Sequence, residues 1–509
     1  MTQLEIVWLS IPACHTLIVT CSILGSSIVA LLLWRHFRVP NTIPRNIPRI
    51  PIWVNLYAMW YDLSVIDLYN TFYREPLEKH GAITIWFTGT WCVLVTHPEY
   101  IVDMFRHDEV YPKVGVNIRG KGSLMGLFVG ENIINSRNPL WSTLASVMKP
   151  GLIKGFDLGL IHERAKKVPE RLLTAQRALG SKKGVDVRLW MDRFAQDVMA
   201  LCLFDFDLQA LDEPRVRYAP LLAEIIPAIF TRWALYFPKL DLPGRHFFSR
   251  GRILKSIAEF DSLLDGILQS SLRRDKGRQQ PKVLSQMLKQ AYDEGRLTHA
   301  QFRANLRMSF MFGHDTTANL LGLIMFVLGN NPDVQERLRS EALNSSPATI
   351  HDLPYLTSVV YEVLRLYPPV TEMLNHTASA PALLGGKVPI QPGTWLGWNA
   401  YGVHTNSAIW GPDARSFKPE RWGRNSKDIQ ANFRVRSTRG HYIPFSLHAR
   451  KCLGQALVLT EVRLVLYELV RKVKWIVDPE YRVNLGGVMF TLPIGLRIMV
   501  EEIDGVGLE

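Results

Sequence analysis

Two short stretches hold the residues that could do chemistry. The first runs Pro444-Phe445-Ser446-Leu447-His448-Ala449-Arg450-Lys451-Cys452-Leu453-Gly454 and sets one cysteine beside two cations, just ahead of a helical-looking run from Leu453 to Leu469. Arg450, Lys451 and the positive end of a following helix all favour a thiolate over a thiol. A thiolate is a strong ligand for soft or redox-active metals. For a lone cysteine the plainer reading, a small buried apolar side chain, stands beside that one. The second stretch, Phe312-Gly313-His314-Asp315-Thr316-Thr317, interrupts a long apolar run. Glycine, an acid and two threonines are poor choices for a helix interior, and a Thr hydroxyl can bond a backbone carbonyl and open the helix locally. A distortion without chemistry is the alternative, although local rule-breaking concentrates at functional sites.

The elements that must position these stretches are legible around them. Thr298-His299-Ala300-Gln301 has capping-box form, and Gly329-Asn330-Asn331-Pro332 is a strong stop. A helix from Thr298 to Gly329 would be roughly 48 Å long at 1.5 Å per residue. Glu362 and Arg365 share a helix face at i and i+3, and Pro368-Pro369 ends that helix. Ala82 to Thr96 alternates as a hairpin turning near Thr88-Gly89-Thr90. Gly120 to Gly130 reads as a glycine-rich loop with no phosphate-loop lysine. Amphipathic helices fill residues 155 to 295, with a basic loop at Arg273 to Lys282 that reads as a solvated face. Gly393 to Val403 reads as strand and Val488 to Glu502 as a last hairpin.

Phe445, Arg450, Cys452 and Gly454 stand at the spacing of Phe-x-x-Gly-x-Arg-x-Cys-x-Gly, so the chain resembles the cytochrome P-450 family of haem-thiolate monooxygenases, of the microsomal and fungal type. The resemblance covers roughly residues 40 to 500. It implies a mainly α fold with a smaller β-rich lobe and haem b between the long central helix and the cysteine loop. It makes Cys452 the axial iron ligand, Phe445 the cover of the sulfur and Arg450 a propionate partner. Phe312 to Thr317 resembles the oxygen-activation motif, which makes Thr316 the holder of the proton network, Asp315 its acidic relay and Gly313 part of the haem wall. Trp141 matches the tryptophan that supports a propionate. Glu362 and Arg365, with Arg421 in Phe417-Lys418-Pro419-Glu420-Arg421-Trp422, resemble the structural ionic triad under the cysteine loop. The turn near Phe490-Thr491 is expected to dip into the pocket, and the loop after Val114 to lie over the substrate.

The chain departs from that pattern in four places. His448 replaces a glycine; His tolerates positive φ better than most side chains, and a polar contact near the sulfur or a propionate is expected of it. Ala145 stands where a basic residue usually follows the tryptophan, with Lys149 or Arg137 as candidate substitutes. The arginine expected after Pro368-Pro369 falls near Asn375-His376, with His376 as first candidate to replace it. Phe312 stands where a small residue is usual and is expected to crowd the space above haem.

Composition bounds the rest. The 509 residues are 47% hydrophobic, which suffices for a sizeable core, and 59 Lys plus Arg against 46 Asp plus Glu give a net charge of +13. That excess suits lipid headgroups, an acidic protein or haem propionates; nucleic acid is disfavoured because no basic arm or nucleic-acid motif occurs. Five scattered cysteines offer neither zinc spacing nor a disulfide framework. Ile6 to Trp34 is apolar and long enough to cross a bilayer. Arg35 and Arg38 follow it, which puts the body in the cytosol. The expected organisation is an anchor over residues 1–38, a proline-rich hinge over 39–55 and one haem-binding catalytic domain over 56–509, held single-pass at the endoplasmic reticulum membrane. No flavin or nicotinamide fingerprint occurs, so electrons are expected from a separate NADPH-cytochrome P-450 reductase, and the substrate is expected to be lipophilic and to belong to secondary metabolism. Two rivals are a haem-thiolate isomerase or dehydratase acting on a peroxide, and a non-catalytic haem-binding protein; retention of Asp315 and Thr316 speaks against both.

Overall fold

The helix His299–Gly329 is the axis of the fold. Thr298 caps it reciprocally with Gln301: the Gln301 amide donates to Thr298 Oγ1 at 3.2 Å and the Thr298 amide to Gln301 Oε1 at 3.0 Å. From Thr317 to Gly329 every side is buried. The helix is apolar and long enough to span a membrane, but 78% of its apolar window lies inside the protein. An all-round apolar helix of this kind is a core helix. The helices Val187–Phe204, Pro354–Leu366 and Gln455–Lys472 pack around it. A Cβ at Gly313 would come within 2.6 Å of Met199 Cγ, so glycine there sets the close approach of the Val187–Phe204 helix.

This computed structural model describes residues 4–115, 120, 122–153, 155–212, 219–242, 250–274 and 283–503. The fold is mainly α with a smaller β lobe, as expected. The lobe is a four-stranded sheet in the order Ala82–Phe87, Thr90–Val95, Trp395–Asn399, Glu372–Thr377, the middle pair parallel and the outer pairs antiparallel. Thr88 and Gly89 both have positive φ, the conformation a two-residue hairpin needs to match strand twist. A second sheet joins Val185–Asp186, Arg497–Glu502 and Val473–Val477.

Several boundaries differ from the sequence reading. The stretch from Gly120 to Gly130 is not all loop: Ser123 caps a short helix, Leu124–Val129. The strand at Gly393 to Val403 is shorter, because Asn399 caps the helix Ala400–His404. The tail is not one hairpin, since Leu492–Pro493 pairs with Leu485–Gly486 while Arg497–Glu502 joins the second sheet. The basic loop lies outside the described residues beyond Arg274. The proline-rich segment is pinned to the body: the Ile50 amide donates to the Thr84 carbonyl at 2.9 Å, the Thr84 amide to the Pro48 carbonyl at 2.8 Å, and Ile43, Ile47 and Ile50 are buried. Helix resumes at Trp53, inside the expected hinge.

Candidate active site

Beneath the central helix lies a cavity with about 1700 Å³ of empty space, its mouth included. The cysteine loop forms part of its wall. Ser446 and His448 both adopt positive φ (59° and 51°), so His448 takes the backbone conformation of the glycine it replaces. The Cys452 amide donates to the Phe445 carbonyl at 2.8 Å and closes the loop. Cys452 lines the cavity. Burial pushes the Cys452 thiol pKa up, while the Gly454 and Gln455 amides at the start of the helix Gln455–Lys472, and then Lys451, act against it.

Arg450 does not take part in that balance, contrary to its expected role beside the thiolate. Its guanidinium clasps Asp108 at 3.0 and 2.6 Å, donates to the Ser136 carbonyl at 2.9 Å and lies 4.2 Å from the centre of the Trp141 ring. Arg450, Trp141 and Ala145 nevertheless line the cavity. Of the two candidate substitutes for the missing cation, Lys149 lines the cavity, its Nζ 5.5 Å from the Trp141 ring centre, whereas Arg137 is exposed and outside the wall. His448 is a correction as well: its side chain is exposed and is not among the residues that line the cavity, and partial burial, then the Arg106 charge, lowers its pKa.

The strand Glu372–Thr377 corrects the reading of His376. Alternation along a strand sends neighbours to opposite faces, and here Met373 and Asn375 line the cavity while His376 does not. His376 is fully buried, its Nδ1 2.8 Å from the Tyr111 carbonyl and its ring edge-on to Phe105. Its Nε2 has no hydrogen-bond partner. The cation that does reach the cavity beside Asn375 is Lys113, which sequence reading missed. Only its isolated place among apolar and small residues could have drawn attention to it.

On the central helix, Ser309, Phe312, Gly313, Thr316 and Leu320 line the cavity. The expected opening of the helix is absent: it runs unbroken, and Thr316 Oγ1 donates to the Phe312 carbonyl at 3.3 Å. Asp315 points elsewhere, 2.5 Å from Arg188 of the neighbouring helix, which also holds Asp192 at 2.6 Å and Asn319. Phe490 lines the cavity as expected of the turn that carries it.

Behind the loop, the ionic triad is assembled. Glu362 and Arg365 are both fully buried and joined at 2.8 and 2.9 Å, and Arg421 reaches Glu362 Oε1 at 2.8 Å. His404, also unanticipated, connects the triad to the loop. Its carbonyl accepts from Arg365 at 2.6 Å, its Nδ1 lies 3.1 Å from the Arg365 carbonyl, and its Nε2 accepts from the Ile443 amide at 2.8 Å, directly before Pro444.

A helical fold with one cysteine opening into an apolar cavity, cations gathered in the same wall and a threonine on the adjoining helix defines a redox enzyme of the thiolate-cofactor kind. The cytochrome P450 family model matches residues 46–493, and the chain belongs to that family. It is 40% identical over 482 residues to cytochrome P450 monooxygenase xanG of Aspergillus fumigatus, covering 92% of this chain and 89% of the relative. It is 28% identical over 466 residues to cytochrome P450-DIT2 of Saccharomyces cerevisiae (91% and 94%), and 26% over 415 residues to cyclooctat-9-en-7-ol 5-monooxygenase of Streptomyces melanosporofaciens (77% and 84%). The chain is an oxidoreductase, a monooxygenase of a haem-thiolate family. The residues fit such a group. Cys452 offers the cavity a single soft donor, which suits a metal that brings further ligands of its own. The apolar wall and the Lys113, Lys149 and Arg450 side chains in it match a flat apolar macrocycle with anionic edges.

Proposed function

We propose that this chain binds haem b with Cys452 as axial ligand and inserts one oxygen atom from O2 into a lipophilic substrate of secondary metabolism. The reading rests on one observation: the Cys452 sulfur, the Thr316 hydroxyl, and the Arg450, Lys149 and Lys113 side chains all border one apolar cavity. When bound, haem supplies dioxygen activation, and thiolate donation favours O–O cleavage. The net reaction turns a C–H bond into C–OH and releases the second oxygen as water, using two protons and two electrons. The electrons come from NADPH through a separate reductase.

The chain's own residues do the rest. Amides of Gly454 and Gln455 and the Lys451 charge favour the deprotonated sulfur. Phe445 and Leu453 border the same pocket and keep it apolar. Trp141 and Arg450 receive the propionate edge, and Gly313 contributes backbone and no side chain to the wall. Thr316 holds a proton at Oγ1; its bond to the Phe312 carbonyl, at 3.3 Å, is longer than a normal hydroxyl hydrogen bond, so the hydroxyl can turn into the cavity. Asp315, about one-third exposed, links Thr316 to solvent as the acidic relay once Arg188 swings away. The apolar wall orients the substrate and excludes water. The N-terminal helix tethers this catalytic domain, residues 56–509, to the endoplasmic reticulum in a single pass, with residues 39–55 joining the two.

Cys452→Ala is the decisive variant. The reduced carbon-monoxide complex of the native chain should carry the red-shifted thiolate Soret band, and the variant should lack it. Persistence of that band in the variant would overturn the assignment. Consumption of NADPH with reductase, rising on substrate addition, separates the monooxygenase from a peroxide-using isomerase.

A further inference from the structure

Lys113 is only 6% exposed and is the one lysine so buried among the described residues. A buried ammonium is unfavourable unless it is paired with an anion. Its Nζ donates to Asn375 Oδ1 at 2.8 Å and lies 4.9 Å from the Phe105 ring centre. Both partners are neutral. No carboxylate of the described residues stands within 4.0 Å of Nζ, and Asp108, the acid that acts on it from further off, is clasped by Arg450. Burial and then the Arg450 charge push the Lys113 pKa well down, so the protein alone holds this ammonium poorly.

The side chain is nonetheless built into place. Lys113 and His376 form an antiparallel bridge, the Val114 amide donates to the Asn375 carbonyl at 2.8 Å, and the Thr377 amide donates to the Pro112 carbonyl at 3.0 Å. Lys113 and Asn375 both line the cavity, as do Arg450 and Trp141. Arg450 has three of its five N–H groups already committed to Asp108 and Ser136. The chain also carries Ala145 and Asn375 where the family resemblance leads one to expect cations.

We propose that Lys113 and Asn375 form a carboxylate-binding subsite in the cavity wall, and that its occupant is a propionate of the haem. This rests on the cofactor reading above. Asn375 stands in for a missing arginine by accepting from Lys113, so that the charge comes from the neighbouring segment. A carboxylate could equally belong to a substrate, and the experiment separates the two sources.

Full-length chain, Lys113→Met and Lys113→Gln are loaded with haem or with haem dimethyl ester, which lacks both propionate charges. Transfer of the cofactor to excess apomyoglobin is then followed in the Soret region. With haem, both variants should release at least about thirtyfold faster than the native chain, as expected for loss of a buried charge pair. With the ester, native chain and variants should release at the same rate. Equal rates with unmodified haem, or a difference that survives esterification, would overturn the proposal. So would variants that keep haem as the native chain does but lose the spectral response to long-chain carboxylic acids, which would give the subsite to substrate. Lys113→Gln keeps a donor to Asn375 without charge, so a packing defect in Lys113→Met does not decide the outcome. A native chain without the thiolate band would instead fail the cofactor reading itself, a result visible before any variant is compared.

Discussion

Phe312 and Thr316 sit one turn apart on the same wall of the cavity, and the carbonyl of the first receives the hydroxyl of the second. Their neighbours have other tasks: Gly313 admits Met199, His314 is buried with Nδ1 on the Phe310 carbonyl at 2.7 Å, and Asp315 turns to Arg188. Phe312 is half-buried: it borders the cavity and also packs against the core, and we assign its ring to the cavity. Phe312→Ala should admit bulkier ligands or shift the site of oxidation, with only a modest drop in melting temperature. Unchanged regiochemistry together with a loss of about 3–5 kcal/mol, the usual cost of Phe→Ala in a packed interior, would assign the ring to the core instead. At this scale the sequence was most informative where residue type and spacing both mattered, as at Cys452, Thr316 and Trp141. It was silent on Lys113 and His404, because nothing local marks a lysine or histidine that topology will bury. It misdirected at His376, where the face a strand residue presents is decided by its pairing with Trp395–Asn399, irregular between Met373 and His376.

The helix Pro354–Leu366 and the loop before Cys452 are coupled through one imidazole. Burial, reinforced by Arg365, lowers the His404 pKa from 6.5 to about 3. The neutral ring can then donate from Nδ1 to the Arg365 carbonyl while Nε2 accepts from the Ile443 amide. Protonation would put a donor against that amide and a second charge against the Arg365 guanidinium. A histidine whose folded pKa lies below its unfolded value stabilises the fold fully above about pH 6.5, and that contribution drains away as pH falls toward 3. Between pH 7 and pH 5 the native chain should lose about 2 kcal/mol more stability than His404→Gln. Denaturant titrations of both proteins at the two pH values measure the difference; parallel losses would show that His404 is not neutral in the fold. The motif residues Glu362, Arg365 and Arg421 were readable as a set because their spacing is distinctive. The connector between them and the loop was not, since His404 ends a short helix that sequence had drawn as strand.

The whole molecule presents an apolar surface that continues from the end of its N-terminal helix. Val19–Phe37 is apolar and none of its described window is buried in the body. At its end, the Trp91 indole donates to the Phe37 carbonyl at 3.0 Å, and the Phe37 ring meets Trp86 and Phe237 at 5.1 and 6.4 Å. Phe237 leads to Trp233, 5.8 Å away and 59% exposed. The helix Arg232–Tyr236 packs beside Trp53–Trp60, where Trp60 is 83% exposed and Trp53, Leu56 and Tyr61 are exposed as well. Aromatic side chains with polar tips suit the headgroup boundary. Scattered exposed apolar residues need no explanation, but a patch contiguous with a candidate anchor does. A chain lacking residues 1–38 should therefore still sediment in part with anionic vesicles, drawn by its apolar patch and its excess of basic residues. Adding Trp60→Glu and Trp233→Glu to the truncated chain should release it into the aqueous fraction without changing its carbon-monoxide spectrum, since neither residue borders the cavity. High salt alone should release only the share held by charge. Complete release of the truncated chain at low salt, before either tryptophan is changed, would mean that the N-terminal helix is its sole hold on the bilayer and that this patch meets something else.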